Sequence, residues 1–170
     1  NWAFCGIATM LMMLKANNIE ASTDNASLNG YANKMYIQGQ GTSGAHMASY
    51  IRERGLTDST YTTTGRTSKL VTALDKGQPV PFGVVKSKGI VSQLDAGGSS
   101  RYPMLKVGDY HEKPFKGSGH WVLVTRYEGK ADNPTAFYFN DPDVGGELKA
   151  TRSELTEMGD GDGNFWMIHQ

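Results

Sequence analysis

The sequence predicts an α+β protein built on a mostly antiparallel sheet. Helical patterns occupy the first part of the chain and strand patterns the second, which argues against an alternating βαβ fold. A run that is apolar on nearly all sides, residues 7–14, predicts a core helix. Two strand-like segments joined by a polar turn predict a hairpin from His120 to Asn140. With 170 residues, of which 38% are hydrophobic, the chain is expected to form a single domain over residues 1–170.

Helical patterns recur along the first half of the chain. The first runs over residues 5–15, and between residues 7 and 14 only Thr9 is polar. This helix is expected to end at Asn17 and Asn18, because asparagine tolerates the left-handed conformation found at helix ends. The remaining helices are expected at residues 27–35, 44–54 and 67–76.

Strand patterns dominate the second half. Residues 120–128 and 135–140 have the strongest patterns and form the two arms of the predicted hairpin. Residues 79–85 also predict a strand, whose prolines restrict it to a strand start or a sheet edge. Residues 86–119 show little sustained periodicity and are interpreted as a long, loop-rich insertion. Further strands are expected at residues 60–65 and 164–169.

Charge and composition exclude several classes of function. Lysine plus arginine and aspartate plus glutamate both number 17, so the formal net charge of +0 gives no sign of nucleic-acid binding. The longest apolar run, residues 10–14, is too short for a membrane span, and no signal peptide is present. The single cysteine excludes an intrachain disulfide framework and a cysteine-rich zinc site, and no metal or cofactor is expected. The first residue is not methionine, which indicates a fragment or a processed chain.

Cys5 stands at the start of the predicted core helix. Amide dipoles at a helix N-terminus stabilise a thiolate, which is the nucleophilic form of cysteine. The backbone N–H of Cys5 is also a candidate donor to a developing oxyanion. Taken alone, a lone cysteine is more often a small buried hydrophobic residue.

The predicted hairpin supplies a candidate base and a group to orient it. His120 opens the first strand and Asp141 follows the returning strand, so a short turn brings the two residues together. A carboxylate on one imidazole nitrogen and a thiol on the other is the arrangement of a catalytic triad. Each residue also has an ordinary interpretation, as a structural histidine and as part of an Asn-Asp-Pro turn. The joint arrangement with Cys5 favours nucleophilic catalysis.

Several segments resemble papain-like bacterial peptidases. "CGIATMLMML" resembles their "CGxAxLxMxL" opening, and "GHWVLVTRYE" followed by "FYFNDPDVGG" resembles their "GHxVxVxGx…YxNDPxxG" block. "GTS" before a helix and "LVTALDKGQPVPFGVV" are similar to the middle of these enzymes. The most similar group is the peptidases that process double-glycine leaders in bacteriocin exporters, with their stand-alone relatives. The resemblance covers most of the chain in order, apart from residues 86–119.

The resemblance implies a papain-like cysteine peptidase fold, in which N-terminal helices carrying the catalytic cysteine pack on the antiparallel sheet. By position, Cys5 is the nucleophile, His120 the general base and Asp141 the orienting acid. Asn140 is the second candidate for the orienting role. The oxyanion-hole glutamine of the family is expected upstream of Asn1, so within this sequence Cys5 is the oxyanion candidate.

The resemblance also implies a substrate cleft beside these residues. Gly6, Gly119 and Trp121 adjoin the catalytic candidates and are predicted to line it. Residues 86–119 lead directly into His120 and are expected to border the same cleft; the alternative is a solvated insertion.

The predicted activity is that of a cysteine peptidase acting on protein or peptide substrates, with cleavage after small residues such as Gly-Gly. The predicted setting is a module of a bacterial toxin or effector, secreted or delivered into a target cell and opposed by a cognate inhibitor or immunity protein. Two alternatives remain open. One is a papain-like hydrolase that cleaves peptidoglycan or deamidates glutamine, and the other is an inactive peptide-binding domain.

Overall fold

The computed structural model describes residues 4–38, 40–85, 93–94, 119–142, 146–159 and 163–170. These residues form five helices and nine strands. The helices are α1 (Cys5–Ala16), α2 (Asn25–Met35), α3 (Gly44–Glu53), α4 (Thr67–Asp75) and α5 (Arg152–Met158). The strands are β1 (Tyr36–Ile37), β2 (Gly41–Thr42), β3 (Thr60–Gly65), β4 (Val80–Val84), β5 (Gln93–Leu94), β6 (His120–Lys130), β7 (Asn133–Asp141), β8 (Gly146–Thr151) and β9 (Phe165–His169).

A seven-stranded sheet organises the described part of the chain. Its strand order is β3-β9-β4-β6-β7-β8-β5, and each neighbouring pair is antiparallel. The predicted hairpin is its centre, where β6 and β7 pair over most of their lengths. Strands β1 and β2 pair separately as a short ribbon between α2 and α3. The α+β prediction with a mostly antiparallel sheet is confirmed.

Helices cover both faces of the sheet, and each face has its own core. Strand alternation sends Val122 and Val124 of β6 into a core that α4 and α5 share. The same alternation sends Trp121 and Leu123 into a second core, formed with α1, α2 and α3. Cys5 therefore belongs to the helical layer on the side of Trp121.

The first helix is buried along almost its whole length. Every residue from Gly6 to Leu14 is buried, as the continuous apolar pattern predicted. The helix ends at the predicted asparagines, where the Asn17 side chain donates to the Met13 carbonyl at 2.9 Å and Asn18 takes the left-handed φ of 59°. Among the described residues, no helix is both long and apolar enough to cross a membrane.

The structure contains elements that the sequence patterns did not predict. Strand β8 and helix α5 fill the chain between the hairpin and the last strand. The start of α5 has a capping-box signal, because Thr151 accepts from the Glu154 backbone N–H at 3.2 Å and donates to its carboxylate at 3.1 Å. A search for that signal would have found the helix.

Strand β4 is an interior strand, flanked by β6 and β9. Of the two positions that its prolines allowed, the strand start is correct and the sheet edge is wrong. Pro79 precedes the strand, and Pro81 is its second residue. Pairing with β9 begins only at Phe82, so Pro81 lies where β6 alone is its neighbour.

The predicted insertion at residues 86–119 lies outside the described residues, except for β5 and Gly119. Strand β5 pairs with β8 at the end of the sheet. The proposed role of this insertion beside the cleft stays a prediction.

Two helical glycines allow a direct test of the close packing around α1. A Cβ on Gly6 would lie 2.4 Å from the Thr42 Cβ, whereas a Cβ on Gly30 of α2 meets nothing within 4 Å. We expect Gly6→Ala to destabilise the protein by about 1–3 kcal/mol through overpacking. Gly30→Ala should instead stabilise it by about 0.5–1 kcal/mol, because it restricts the unfolded chain and favours the helix. Urea unfolding of the two variants measures both effects, and equal changes of one sign would contradict the packing argument.

Candidate active site

Cys5 is the first residue of α1, and Phe4 is its N-cap. Its side chain is partly exposed, while the next nine residues are buried. The first four amide N–H groups of an α-helix have no intrahelical partners, so the N-terminus carries partial positive charge at this thiol. The sulfur therefore lies where a negative charge is stabilised and where solvent still has access.

His120 and Asp141 form a buried pair at one end of the hairpin. His120 Nε2 lies 2.8 Å from Asp141 Oδ1, and both side chains are almost completely buried. The carboxylate can only accept, so Nε2–H donates to it. The strand pairing extends as far as Leu123 and Asn140, so His120 and Asp141 lie at the open end of the hairpin. The predicted proximity of the two residues is present in the structure.

The pKa of His120 is raised to about 10. Burial acts in the opposite direction and is the largest single influence on this pKa, because a buried imidazolium loses its hydration. The hydrogen bonds from His120 to Asp141 and to Cys5, together with the negative charges of both groups, outweigh the burial. Because Asp141 occupies Nε2, Nδ1 is the ring nitrogen that remains for the Cys5 thiol. The structure thus brings the three predicted residues together.

Asn140, the second candidate for the orienting role, is fully buried. It lies opposite Leu123, whereas the neighbouring Asp141 is the residue that lies 2.8 Å from His120 Nε2. Asp141 is therefore the residue whose carboxylate meets the His120 ring.

A cleft of about 440 Å³ opens beside His120. The ribbon β1–β2 and the start of α3 supply one wall, and strands β4 and β9 supply another. Its lining residues are Ile37, Gln40, Gly41, Thr42, Ser43, Gly44, Tyr61, Gly83, Val84, Val85, Gly119, His120, Trp121 and Trp166. Most of this lining is apolar, aromatic or bare backbone.

The predicted cleft residues have different positions in this structure. Gly119 and Trp121 line the cleft on either side of His120, and Gly119 takes a φ of 79° that favours glycine. Gly6 is buried against Thr42, a lining residue, and is not itself part of the lining. Their roles in binding substrate stay predictions.

Aromatic side chains shape the cleft, among them Trp166, which the sequence suggests as a core or cleft-wall residue, and Tyr61, which the sequence patterns missed. Trp166 is 40% exposed and lines the cleft beside Gly83, where a Cβ would lie 3.0 Å from the Trp166 Cβ. Tyr61 lies 6.3 Å from Trp121, ring centre to ring centre, and burial raises its pKa. Alternation in the last strand was the available signal, because Phe165 faces the opposite core and so turns Trp166 toward the cleft.

Fold and site together define a cysteine hydrolase of the papain-like type. The model of the Peptidase_C39 like family matches residues 1–157. The chain belongs to this family and is a cysteine peptidase, as the sequence resemblance implied. Comparison with curated proteins gives no match.

The raised pKa of His120 predicts how stability depends on pH. A histidine whose pKa rises from 6.5 in the unfolded chain to about 10 in the folded protein binds more protons when folded. The interaction with Asp141 therefore stabilises fully below pH 6.5, weakens as pH increases, and is lost as pH passes through about 10. We expect the stability advantage of the wild type over Asp141→Asn to shrink from pH 6.5 to pH 10, as measured by urea unfolding.

Asp132, exposed in the turn of the hairpin, provides the matched control. Asp132→Asn makes the same chemical change away from His120, and its stability relative to the wild type should not follow this pH dependence. A pH-independent difference between the wild type and Asp141→Asn would contradict the assigned ion pair.

Proposed function

We propose that Cys5, His120 and Asp141 hydrolyse peptide bonds as a catalytic triad. The observation that supports this most directly is the His120 ring, which hydrogen-bonds the Asp141 carboxylate at 2.8 Å and also the Cys5 thiol. One imidazole thus connects an orienting carboxylate to a nucleophile at a helix N-terminus.

In the proposed resting state an imidazolium faces a thiolate, because the Asp141 carboxylate favours the charged His120 ring and the N-terminus of α1 favours a negative sulfur. The Cys5 thiolate attacks the peptide carbonyl, and a tetrahedral intermediate forms with its charge on oxygen. His120 then gives its proton to the leaving amine as the C–N bond breaks, which leaves a thioester on Cys5. His120 next takes a proton from water, and the resulting hydroxide releases the acyl group and restores the thiolate.

The Cys5 backbone N–H is the proposed oxyanion donor within these residues. It lies at the start of α1, where amide groups point out of the helix end.

Cleavage after small residues, with Gly-Gly as the leading case, is the proposed specificity. The large rings of Tyr61, Trp121 and Trp166 in the cleft lining support it, because they take up space beside His120. A peptide with small side chains fits such walls more easily than one with large side chains. The predicted role as a secreted bacterial toxin or effector, and the predicted immunity protein, stay predictions from the resemblance.

Replacement of the nucleophile tests the proposed activity. We expect Cys5→Ala to abolish all new protein N-termini that the wild type produces in a cell lysate, because the thiolate is the only attacking group. N-terminal profiling by mass spectrometry measures this. Muropeptides released from purified peptidoglycan in a Cys5-dependent manner would instead support the wall-cleaving alternative. Peptide binding without turnover would support the inactive binding domain.

Asp141→Asn tests the role of the carboxylate charge. The amide oxygen can still accept from Nε2–H, but a neutral acceptor stabilises the imidazolium less than a carboxylate does. We expect kcat/KM to fall about tenfold, since the two kinds of hydrogen bond differ by roughly 1–1.5 kcal/mol. Peptide hydrolysis at pH 7 measures the change, with Asp132→Asn as the control. Unchanged kinetics in Asp141→Asn would rule out an electrostatic role for Asp141.

A further inference from the structure

Thr9 is the one polar side chain within the apolar stretch of α1, and it is completely buried. Its hydroxyl donates to the backbone carbonyl of Trp121 at 3.1 Å. The bond joins α1 to β6, two elements far apart in the chain. A buried hydroxyl costs stability unless it has such a partner, and the partner of this one lies on the sheet and not on its own helix.

The two ends of this hydrogen bond lie next to the two proposed catalytic groups. Thr9 follows Cys5 by one helical turn, so both side chains share one face of α1. Trp121 follows His120 directly in β6. The bond therefore couples the axial position of α1 to the start of β6, where the thiolate and the imidazole meet.

A threonine in a helix commonly donates to the carbonyl four residues earlier in its own helix. For Thr9 that carbonyl belongs to Cys5. The Thr9 hydroxyl instead donates to the Trp121 carbonyl on the sheet. It therefore does not compete for the Cys5 carbonyl, a contact that would bend the first turn of α1.

Trp121 extends the connection to the wall of the cleft. Its indole Nε1–H donates to the Thr42 carbonyl at 3.1 Å. Thr42 in turn packs so closely on α1 that only glycine fits at position 6. Three contacts thus close a ring around the candidate site, from α1 to β6, from β6 to β2, and from β2 back to α1.

We propose that Thr9 is a positioning residue, whose hydrogen bond to Trp121 sets the separation of the Cys5 thiolate from the His120 imidazolium. This inference rests on the proposed function of that pair. Thr9 does not touch the reacting atoms and acts through the placement of α1. Valine is nearly isosteric with threonine and lacks the hydroxyl, so Thr9→Val removes the bond and leaves the Trp121 carbonyl without this donor.

Alkylation of Cys5 by iodoacetamide measures the positioning without knowledge of the substrate. Cys5 is the only cysteine, so all incorporated label reports on this thiol. A thiolate paired with an imidazolium reacts well below pH 8.5, the usual pKa of a free thiol. We expect the pH profile of alkylation in Thr9→Val to move toward about 8.5, with kcat/KM for peptide hydrolysis lower by about 10- to 100-fold.

Thr125 offers a closely matched control. It is also buried, and its hydroxyl donates to the Tyr138 carbonyl at 3.2 Å and lies 3.4 Å from a Glu147 carboxylate oxygen, four residues along β6 from Trp121. Thr125→Val therefore removes the same kind of bond elsewhere and should leave the alkylation profile unchanged. Thr9→Ser keeps the hydroxyl and should restore most of the wild-type profile.

A normal alkylation profile in Thr9→Val, combined with a stability loss like that of Thr125→Val, would show that Thr9 is only structural and overturn the proposal. If Thr9→Val does not fold, Thr9→Ala makes the same comparison, because it also lacks the hydroxyl and favours the helix. A wild-type profile centred near 8.5 would overturn the ion pair, and this inference with it. A wild-type enzyme whose Cys5 is alkylated at low pH but which hydrolyses no peptide would contradict the proposed function. The alkylation profiles of the wild type and Thr9→Val would still decide the role of Thr9.

Discussion

The packing of α1 against the start of β6 is the contact on which the rest of the structure depends. Residues 6–14 of the helix are buried without interruption, and their apolar side chains form the core on one face of the sheet. Each fully buried large apolar side chain contributes about 1.5–3 kcal/mol. That driving force fixes the helix against the sheet, and it thereby places a partly exposed thiol beside a buried imidazole.

The buried His120–Asp141 pair is understandable as a feature of function more than of stability. Removing two such groups from water is costly, and a buried ion pair often stabilises a fold no better than apolar residues of similar size. Burial alone would lower the pKa of His120, and the two partners have to reverse that effect. The end of the hairpin supplies Asp141 and the start of α1 supplies Cys5, both held in place by the packing around them.

Two walls of the cleft form where residues pack directly against glycine backbone. The Tyr61 ring lies directly against Gly44, and a Cβ on Gly83 would lie 3.0 Å from the Trp166 Cβ, so both glycines stand where a lining residue packs against the backbone. Neither Gly44 nor Gly83 has a positive φ. Glycine is needed at these two positions because a neighbouring residue comes close, and not because of the backbone conformation.

The sequence by itself determined the α+β class, the extent of α1 and the central hairpin, because these depend on local periodicity and on turn residues close in the chain. It also indicated Cys5, His120 and Asp141, since a helix start and the two ends of one hairpin are locally defined positions. Tertiary structure decided the interior position of β4 and the joining of Thr42, Tyr61 and Trp166 in one cleft. Those features arise from pairing and packing between segments far apart in the chain, and no local pattern contains that information.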